Sequence, residues 1–343
     1  MRDRFALAEL RIPVLGAPMA GGPSTPELAA AVTNGGALGF LAGGMSSAED
    51  LADAIAAARR LTSGPLGVNL FVPQQQFGNS QQLAAYAATL AGEAKYYGVA
   101  LGEPCRLDDE WAAKLEVVCD LRPEVVSFTF GSPSRDECRL LNGVGTLSFA
   151  TITTIREAMI ALSAGVDAVV AQGPGAGGHR ATYDAFAKPP DAPLDDLVAA
   201  LVASLDVPVV AAGGVAAPRD VHRLRDAGAT AVQCGTALLL ADEAGTNPVH
   251  RAALRDPGFT ETVVTRAFTG RYARALRNRF IEKHETDAVF GFPQVAVMTA
   301  PIQEAAVKLG DPHGTPLWAG SAFRHSETGL AADIVRELGS STT

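Results

Sequence analysis

Three kinds of residue are scarce in this chain. Of its 343 residues only four are cysteines, six are histidines and 6% are aromatic. The four cysteines show no Cys-x-x-Cys spacing and no neighbouring histidine cluster; they are Cys105, Cys119, Cys138 and Cys234. This pattern predicts reduced thiols, and it argues against a disulfide framework or a zinc site. With so few aromatic residues, the core must consist mainly of Val, Leu, Ile and Ala.

Long apolar runs and an excess of basic residues are also missing. No stretch reaches the roughly 18 apolar residues that a membrane span needs, and residues 1–9 carry charges where a secretory signal would be apolar. The formal charge of −9 argues against nucleic acid or an anionic membrane as partner. We therefore expect a cytoplasmic protein, monomeric or homodimeric, that acts on a small molecule without a metal.

One stretch concentrates positive charge. Its five arginines are Arg266, Arg271, Arg274, Arg277 and Arg279. The surrounding residues are polar and favour a helix, so the pattern predicts that these side chains form a solvated or interface face.

Short apolar runs that alternate with amphipathic helical patterns are abundant. Eight of them are predicted strands, at residues 12–17, 37–42, 66–72, 125–130, 146–151, 168–172, 207–212 and 231–233. Eight βα units in about 240 residues match the usual size of a TIM barrel. A doubly wound open sheet would need a Gly-x-Gly-x-x-Gly turn after its first strand, and residues 16–22 do not fit that pattern. The fold class predicted is α/β, a (β/α)8 barrel.

The alternation of predicted strands and helices is interrupted in two places. A polar segment, residues 73–105, interrupts it after the third strand. After residue 240 the chain becomes richer in charge and in helix formers, which predicts a smaller, mainly helical second domain over one mouth of the barrel. Residues 1–240 and 311–343 would then form the barrel, and residues 241–310 a substrate or lid domain.

Glycine-containing segments follow the last two predicted strands. Gly213 and Gly214 follow the seventh, and residues 233–236 end the eighth with Gly235 and Thr236. Barrels often bind phosphate with the backbone amides of these two loops. Either loop alone is more commonly an ordinary tight turn. Their joint occurrence favours a ligand that carries a phosphate.

The sixth predicted strand runs directly into residues 172–180, which contain four glycines and a proline. His179 therefore lies in a loop at the mouth where barrel enzymes keep their chemistry, which favours an acid–base or substrate-orienting role over a surface histidine. Asn69 and Gln172 place carboxamides among apolar strand residues. They would bond to each other or to backbone, or else to the heteroatom edge of a ring such as flavin.

These motifs together resemble class I nitronate monooxygenases, formerly called 2-nitropropane dioxygenases. The segments that carry the resemblance are residues 17–25, 67–71, 127–131, 171–173, 177–180, 213–214 and 233–236, so it covers nearly the whole chain. It implies a barrel that binds FMN. The residues that it assigns to FMN are Met19, Asn69, Gln172, Gly177, Gly178, Gly213, Gly214, Gln233, Cys234, Gly235 and Thr236.

The resemblance also implies an activity. The family oxidises alkyl nitronates, such as propionate 3-nitronate, with molecular oxygen to carbonyl compounds and nitrite, and His179 matches its active-site histidine. Lys308 is the candidate for the family's substrate lysine, although residues 300–304 offer no tyrosine where the family has tyrosines. Gly175 and Ala181 replace a glutamate and a glycine that are common in the family's histidine loop, and we expect them to alter the loop's shape.

Other functions fit the same motifs. The nearest is an FMN-dependent reductase that uses NAD(P)H to reduce a quinone or an enoyl thioester. A flavin-free barrel lyase or isomerase would use the same phosphate loops, and a non-catalytic FMN-binding protein would use the same cofactor site.

Overall fold

The computed structural model describes residues 4–73, 78–105 and 108–340, and its centre is a ring of eight parallel strands. The strands are β1 Val14–Gly16, β2 Gly39–Ala42, β3 Leu66–Phe71, β4 Val125–Thr129, β5 Leu147–Ile152, β6 Ala168–Gln172, β8 Val209–Ala212 and β9 Ala231–Cys234. They pair in the order β1-β9-β8-β6-β5-β4-β3-β2. A parallel bridge between Leu15 and Leu38 joins β1 to β2 and completes the ring. The predicted (β/α)8 barrel is confirmed.

Helices surround this ring. They are α1 Pro26–Gly35, α2 Ala48–Leu61, α4 Trp111–Leu121, α5 Arg135–Gly143, α6 Ile155–Ala164, α7 Leu194–Ser204, α8 Pro218–Asp226 and α12 Ala331–Leu338. Their first turns follow local sequence rules. The Thr25 hydroxyl accepts a hydrogen bond from Leu28 N at 2.9 Å, and Thr154 forms a capping box with Glu157. The chain's last helix, α12, packs against α1.

Small and branched residues fill the barrel, as the low aromatic content predicted. Its interior contains Leu15, Leu38, Val170 and Val210, with Phe40 and Phe149 as the larger side chains. Between strands and helices the approach is close. A Cβ at Gly39 would lie 1.9 Å from the Ala29 carbonyl oxygen of α1, so only glycine permits this packing.

A second group of elements lies outside the ring. Its helices are α3 Ser80–Tyr97, α9 Pro248–Arg255, α10 Arg279–His284 and α11 Gln294–Lys308. Its strands are β7 Gly178–His179, β10 Thr262–Thr265 and β11 Ala273–Leu276, in the order β10-β11-β7. We call α3, α9, α10, α11 and this three-stranded sheet the cap. Of the polar segment that interrupts the alternation of strands and helices, residues 80–97 form α3, which packs against α11 through a core that includes Leu83, Tyr86 and Met298.

The expected helical face of arginines was wrong. Residues 273–276 form a strand of an antiparallel hairpin, and Arg271 is buried, with 1% of its surface exposed. Its guanidinium donates a hydrogen bond to the Thr182 carbonyl and lies 4.0 Å from the centre of the Phe130 ring. Contacts between distant segments, which a local pattern does not contain, cover this charge.

All four cysteines are free thiols, as predicted. Among the helices of the described ranges, none combines the length and the apolar character needed to cross a bilayer. In the same ranges, His, Cys, Asp and Glu side chains form no group of three or more that could hold a metal ion.

Candidate active site

A cavity of about 750 Å³ opens at the carboxyl ends of the barrel strands, a volume typical of small-molecule sites. The ends of the strands and the inner face of α11 line it. All thirteen residues that the sequence singled out contribute to its wall: Met19, Asn69, Gln172, Gly177, Gly178, His179, Gly213, Gly214, Gln233, Cys234, Gly235, Thr236 and Lys308. The structure therefore brings together residues from six different segments of the chain.

The main chain of His179 is held in place by two sets of hydrogen bonds. His179 pairs with Ala273 of β11. On the other side, the Gln172 amide nitrogen donates to the His179 carbonyl at 2.9 Å, and its amide oxygen accepts from Ala181 N at 2.9 Å. Gln172 thus binds the main chain at both ends of residues 179–181, which we call the histidine segment. This is the backbone alternative considered for its carboxamide.

Aromatic rings surround the imidazole. The centre of the His179 ring lies 5.7 Å from that of Phe130, 5.2 Å from that of Phe292 and 5.5 Å from that of Trp318. Its Nε2 atom lies 3.0 Å from the Thr269 hydroxyl. Neither Phe292 nor Thr269 lies in a sequence motif. Only their contacts with His179 in the folded chain identify them as residues of the site.

The imidazole is uncharged at neutral pH. Burial among these rings, and then the charge of the Arg271 guanidinium, lower the pKa of His179 to about 3. A neutral imidazole has one N–H donor and one nitrogen lone pair. His179 can therefore donate one hydrogen bond and accept another, or take up a proton.

Phe130 adopts an unusual backbone conformation beside this ring, with φ of +74°. Such a conformation costs on the order of 1–3 kcal/mol for a residue with a side chain. The Arg271 guanidinium on one face, and Phe71 with ring centres 4.7 Å apart, hold the Phe130 ring in place. This wall of the cavity is fixed by packing and by a cation–π contact.

Asn69 is buried and bonded to its neighbouring strand. Its amide nitrogen donates to the Ser127 hydroxyl at 2.9 Å and to the Thr129 hydroxyl at 3.0 Å. The two carboxamides thus find their partners separately, Asn69 on β4 and Gln172 in the histidine segment. Asn69 still forms part of the cavity wall.

Main-chain groups dominate the other end of the cavity. Gly213 and Gly214 have φ of +117° and +73°, and a Cβ at Gly213 would lie 2.9 Å from Ala176 N. Within the described part of the chain, the backbone amides of Gly213, Gly214 and Gly235 donate to no protein acceptor. Adjacent amides that point into a concave site bind anions. We call these three amides the amide cradle.

Two side chains complete this end. The Thr236 hydroxyl accepts a hydrogen bond from Gly320 N at 2.9 Å, so its own hydrogen stays available to a ligand and it also anchors the C-terminal segment. The Cys234 thiol is buried, and burial raises its pKa to about 12. Because a protonated thiol is a poor nucleophile, Cys234 serves as a lining residue.

The inner face of α11 closes the cavity on the cap side. Ala296 and Ala300 lie on this face, followed by Gln303, Glu304 and Lys308. Glu304 and Lys308 are exposed at the outer rim, and among the residues that the structure describes no tyrosine lines this part of the wall. A polar rim and a small-residue interior replace the tyrosines expected from the family.

The fold and the cavity are those of a barrel enzyme whose site contains both the amide cradle and a neutral histidine. The model of the family described as "Nitronate monooxygenase" matches residues 5–340. The chain therefore belongs to the nitronate monooxygenase family, whose members are flavin-dependent oxidoreductases.

Individual relatives agree with this assignment. A probable nitronate monooxygenase from Staphylococcus aureus (strain MSSA476) is 35% identical, with 97% of this chain and 94% of that protein covered. The crystal structure of nitroalkane oxidase from Streptomyces ansochromogenes superposes with a TM-score of 0.93 at 42% identity, covering 97% of this chain and 96% of that one. FabK from Thermotoga maritima is similar at a TM-score of 0.75 and 27% identity, covering 97% and 93%.

Proposed function

We propose that this protein is an FMN-dependent nitronate monooxygenase. It would oxidise alkyl nitronates, such as propionate 3-nitronate, with molecular oxygen to a carbonyl compound and nitrite. One observation carries the proposal beyond family membership: a single cavity combines the amide cradle with a neutral histidine that is walled by aromatic rings.

The residues present suit FMN. The amide cradle and the Thr236 hydroxyl would bind its phosphate, because backbone amides without a protein acceptor attract an anion. Glycine at these positions leaves no Cβ that would keep the phosphate away from the backbone. The flavin ring would lie against Met19, Asn69, Gln172, Gly177, Gly178, Gln233 and Cys234. When bound, FMN supplies the electron acceptor for the nitronate and the group that reacts with oxygen.

The histidine end of the cavity suits an anionic, partly apolar substrate. A nitronate is a planar anion, and the buried Arg271 guanidinium supplies a positive charge close to His179. Phe130, Phe292 and Trp318 place apolar rings around the imidazole, and apolar surroundings strengthen electrostatic interactions. His179 would orient the nitronate against the flavin, and Lys308 at the rim would attract a second negative charge on the substrate.

The proposal also includes the roles of the two domains, the cellular location and the oligomeric state. Residues 241–310 would supply the substrate side of the site, as a lid domain on the FMN-binding barrel formed by residues 1–240 and 311–343. The net charge of −9 and the free thiols fit a cytoplasmic enzyme without nucleic-acid or membrane partners. Such an enzyme would act as a monomer or a homodimer.

Anaerobic mixing tests the proposal. Purified protein that carries FMN is mixed with propionate 3-nitronate in one experiment and with NADH in another, and the flavin absorbance is followed. We expect the nitronate alone to reduce the flavin, and oxygen to then yield nitrite.

Each other outcome supports a different function. Bleaching by NADH alone would indicate a reductase of quinones or enoyl thioesters. A coloured protein inert to both would indicate an FMN-binding protein without this activity. Colourless protein that fails to take up FMN would favour a flavin-free lyase or isomerase.

A further inference from the structure

Thr269 is a buried residue that contacts the imidazole from the cap. It lies in the loop between β10 and β11, where Thr269 N and Gly270 N both donate to the Arg266 carbonyl, at 3.2 and 2.8 Å. Its hydroxyl oxygen lies 3.0 Å from His179 Nε2 and 3.2 Å from the Arg271 carbonyl oxygen. Only 6% of Thr269 is exposed, so solvent does not compete for these bonds.

The hydrogens of this group can be counted. A hydroxyl has one hydrogen, and a carbonyl oxygen can only accept. If the Thr269 hydroxyl donates to Arg271, its oxygen must accept from His179 Nε2–H. A neutral imidazole then has no hydrogen left for Nδ1. His179 Nδ1 has no hydrogen-bond partner among the described residues and is not among their fully buried polar atoms.

We propose that Thr269 is a positioning residue that holds His179 in the Nε2–H tautomer and so presents the unprotonated Nδ1 to the cavity. The consequence for substrate choice rests on the proposed function: the site would accept neutral nitroalkanes as well as nitronates. Nδ1 would remove the proton on the carbon that bears the nitro group. That C–H bond breaks, an N–H bond forms at Nδ1, and the electron pair forms the C=N bond of the nitronate, leaving the negative charge on its oxygens.

The same electrostatics that keep the imidazole neutral allow this step. In the free protein, burial and Arg271 disfavour the imidazolium. A nitronate formed next to Nδ1 is an anion, and an opposite charge within a few ångströms raises the pKa of an imidazole. The ion pair of imidazolium and nitronate is therefore stabilised only when substrate is present.

Nuclear magnetic resonance of the FMN-bound protein tests the tautomer without reference to activity. In protein labelled with 15N-histidine, the chain's six histidines give six imidazole signal pairs, and His179→Asn identifies that of residue 179. We expect Nδ1 to resonate as an unprotonated nitrogen and Nε2 as a protonated one. A proton on Nδ1 in the wild type overturns the proposal.

Variants of Thr269 test its part in this. Thr269→Val should mix the two tautomers of His179, whereas Thr269→Ser keeps the hydroxyl and should retain the wild-type signals. Thr299→Val is a matched control, because the Thr299 hydroxyl is also buried and donates to a main-chain carbonyl, that of Phe268, at 2.6 Å. If Thr269→Val leaves the His179 signals unchanged, the proposal is wrong. If that variant does not fold, the wild type and Thr269→Ser still decide the tautomer.

Kinetics test the consequence. We expect Thr269→Val to lower kcat/KM for nitroethane by about tenfold or more, and kcat/KM for ethylnitronate by less than about threefold, because the nitronate needs no proton removed. Equal losses on both substrates would indicate a merely structural role. Wild-type protein that oxidises the nitronate but leaves nitroethane untouched would contradict the base. Failure on both substrates with the tautomer intact would instead contradict the proposed function.

Discussion

The two ends of the cavity are built in different ways. At the amide cradle, the polar groups that line the cavity are main-chain amides of Gly213, Gly214 and Gly235, in the loops that follow adjacent barrel strands. At the histidine end, the lining groups are side chains. Phe130, Thr269, Phe292 and Trp318 reach the imidazole from four separate segments.

This difference explains which end a sequence reveals. The cradle needs only glycines at fixed places after two strands, and a local motif records that requirement. The histidine end needs side chains whose proximity arises from tertiary packing. The first end should therefore respond to changes in the main chain, and the second to changes in single side-chain groups.

Replacement of His179 should have the largest effect. His179→Asn keeps a polar side chain of smaller size but removes the imidazole, so we expect FMN to stay bound while kcat/KM for a nitronate falls by about 10²–10⁴. Flavin absorbance and nitrite release measure the two properties separately. Loss of FMN along with activity would show that the two ends are not independent, and full activity would remove His179 from the reaction.

A methyl group in the cradle should have the next largest effect. Gly214→Ala places a Cβ on a residue with φ of +73° beside the amides, and losing one charge-assisted hydrogen bond costs about 1.5–3 kcal/mol. The dissociation constant of FMN should rise by roughly tenfold to a hundredfold. Titration of the apoprotein with FMN measures it.

A glycine far from the cavity provides the control. Gly165 also has positive φ, +97°, at the C-terminal end of α6. Gly165→Ala should cause backbone strain similar to that of Gly214→Ala and so lower the free energy of unfolding, while FMN affinity stays unchanged. Equal weakening of FMN by both variants would show that strain in the fold, and not the cradle, governs affinity.

The smallest effect expected is a dependence of stability on pH. Burial lowers the pKa of His179 to about 3 and that of His250, which also lines the cavity, to about 4. Both lie below the value of about 6.5 for an unfolded chain. As the pH falls below 6.5, the unfolded state binds more protons than the folded state. Each histidine then lowers the free energy of unfolding by at most about 1.4 kcal/mol per pH unit.

Urea unfolding of the wild type and variants between pH 7 and 5 measures this dependence. His179→Asn and His250→Gln should each show a shallower decline than the wild type. Gly214→Ala should shift stability equally at every pH, because a backbone amide does not titrate in this range. A pH-dependent shift in that variant would erase the distinction between the two ends.

Much of the barrel could be predicted because its signals are local. The predicted strand at residues 168–172 coincides with β6, and the capping box that begins α6 is itself a local pattern, Thr154 followed three residues later by Glu157. The polar segment at residues 73–105 does contain a local helical pattern: Leu83, Tyr86 and Leu90 follow helical spacing and form the buried face of α3. That face packs on other elements of the cap, so the strand–helix alternation of the barrel does not predict it.

Other parts of the site had no local signal. Arg271 belongs to a stretch that reads as polar and helical, yet it is buried because Phe130 and the Thr182 carbonyl lie close in space. The partners of Gln172 follow it by seven and nine positions, and only the folded histidine segment shows that they bind its carboxamide. Tertiary contacts of this kind decide which polar residue serves the fold and which faces the ligand.

The pairing of β7 with β11 has a consequence for how the enzyme could evolve. His179 follows a barrel strand in sequence, but its main chain is a strand of the cap sheet, whereas the amide cradle belongs to the barrel. A substitution that shifts the cap by about one ångström would move the imidazole relative to a flavin bound to the barrel. Misplacement of a reacting group by that distance can lower the rate about a hundredfold. Substitutions at the interface between the barrel and the cap can thus change activity while every residue of the cavity stays the same.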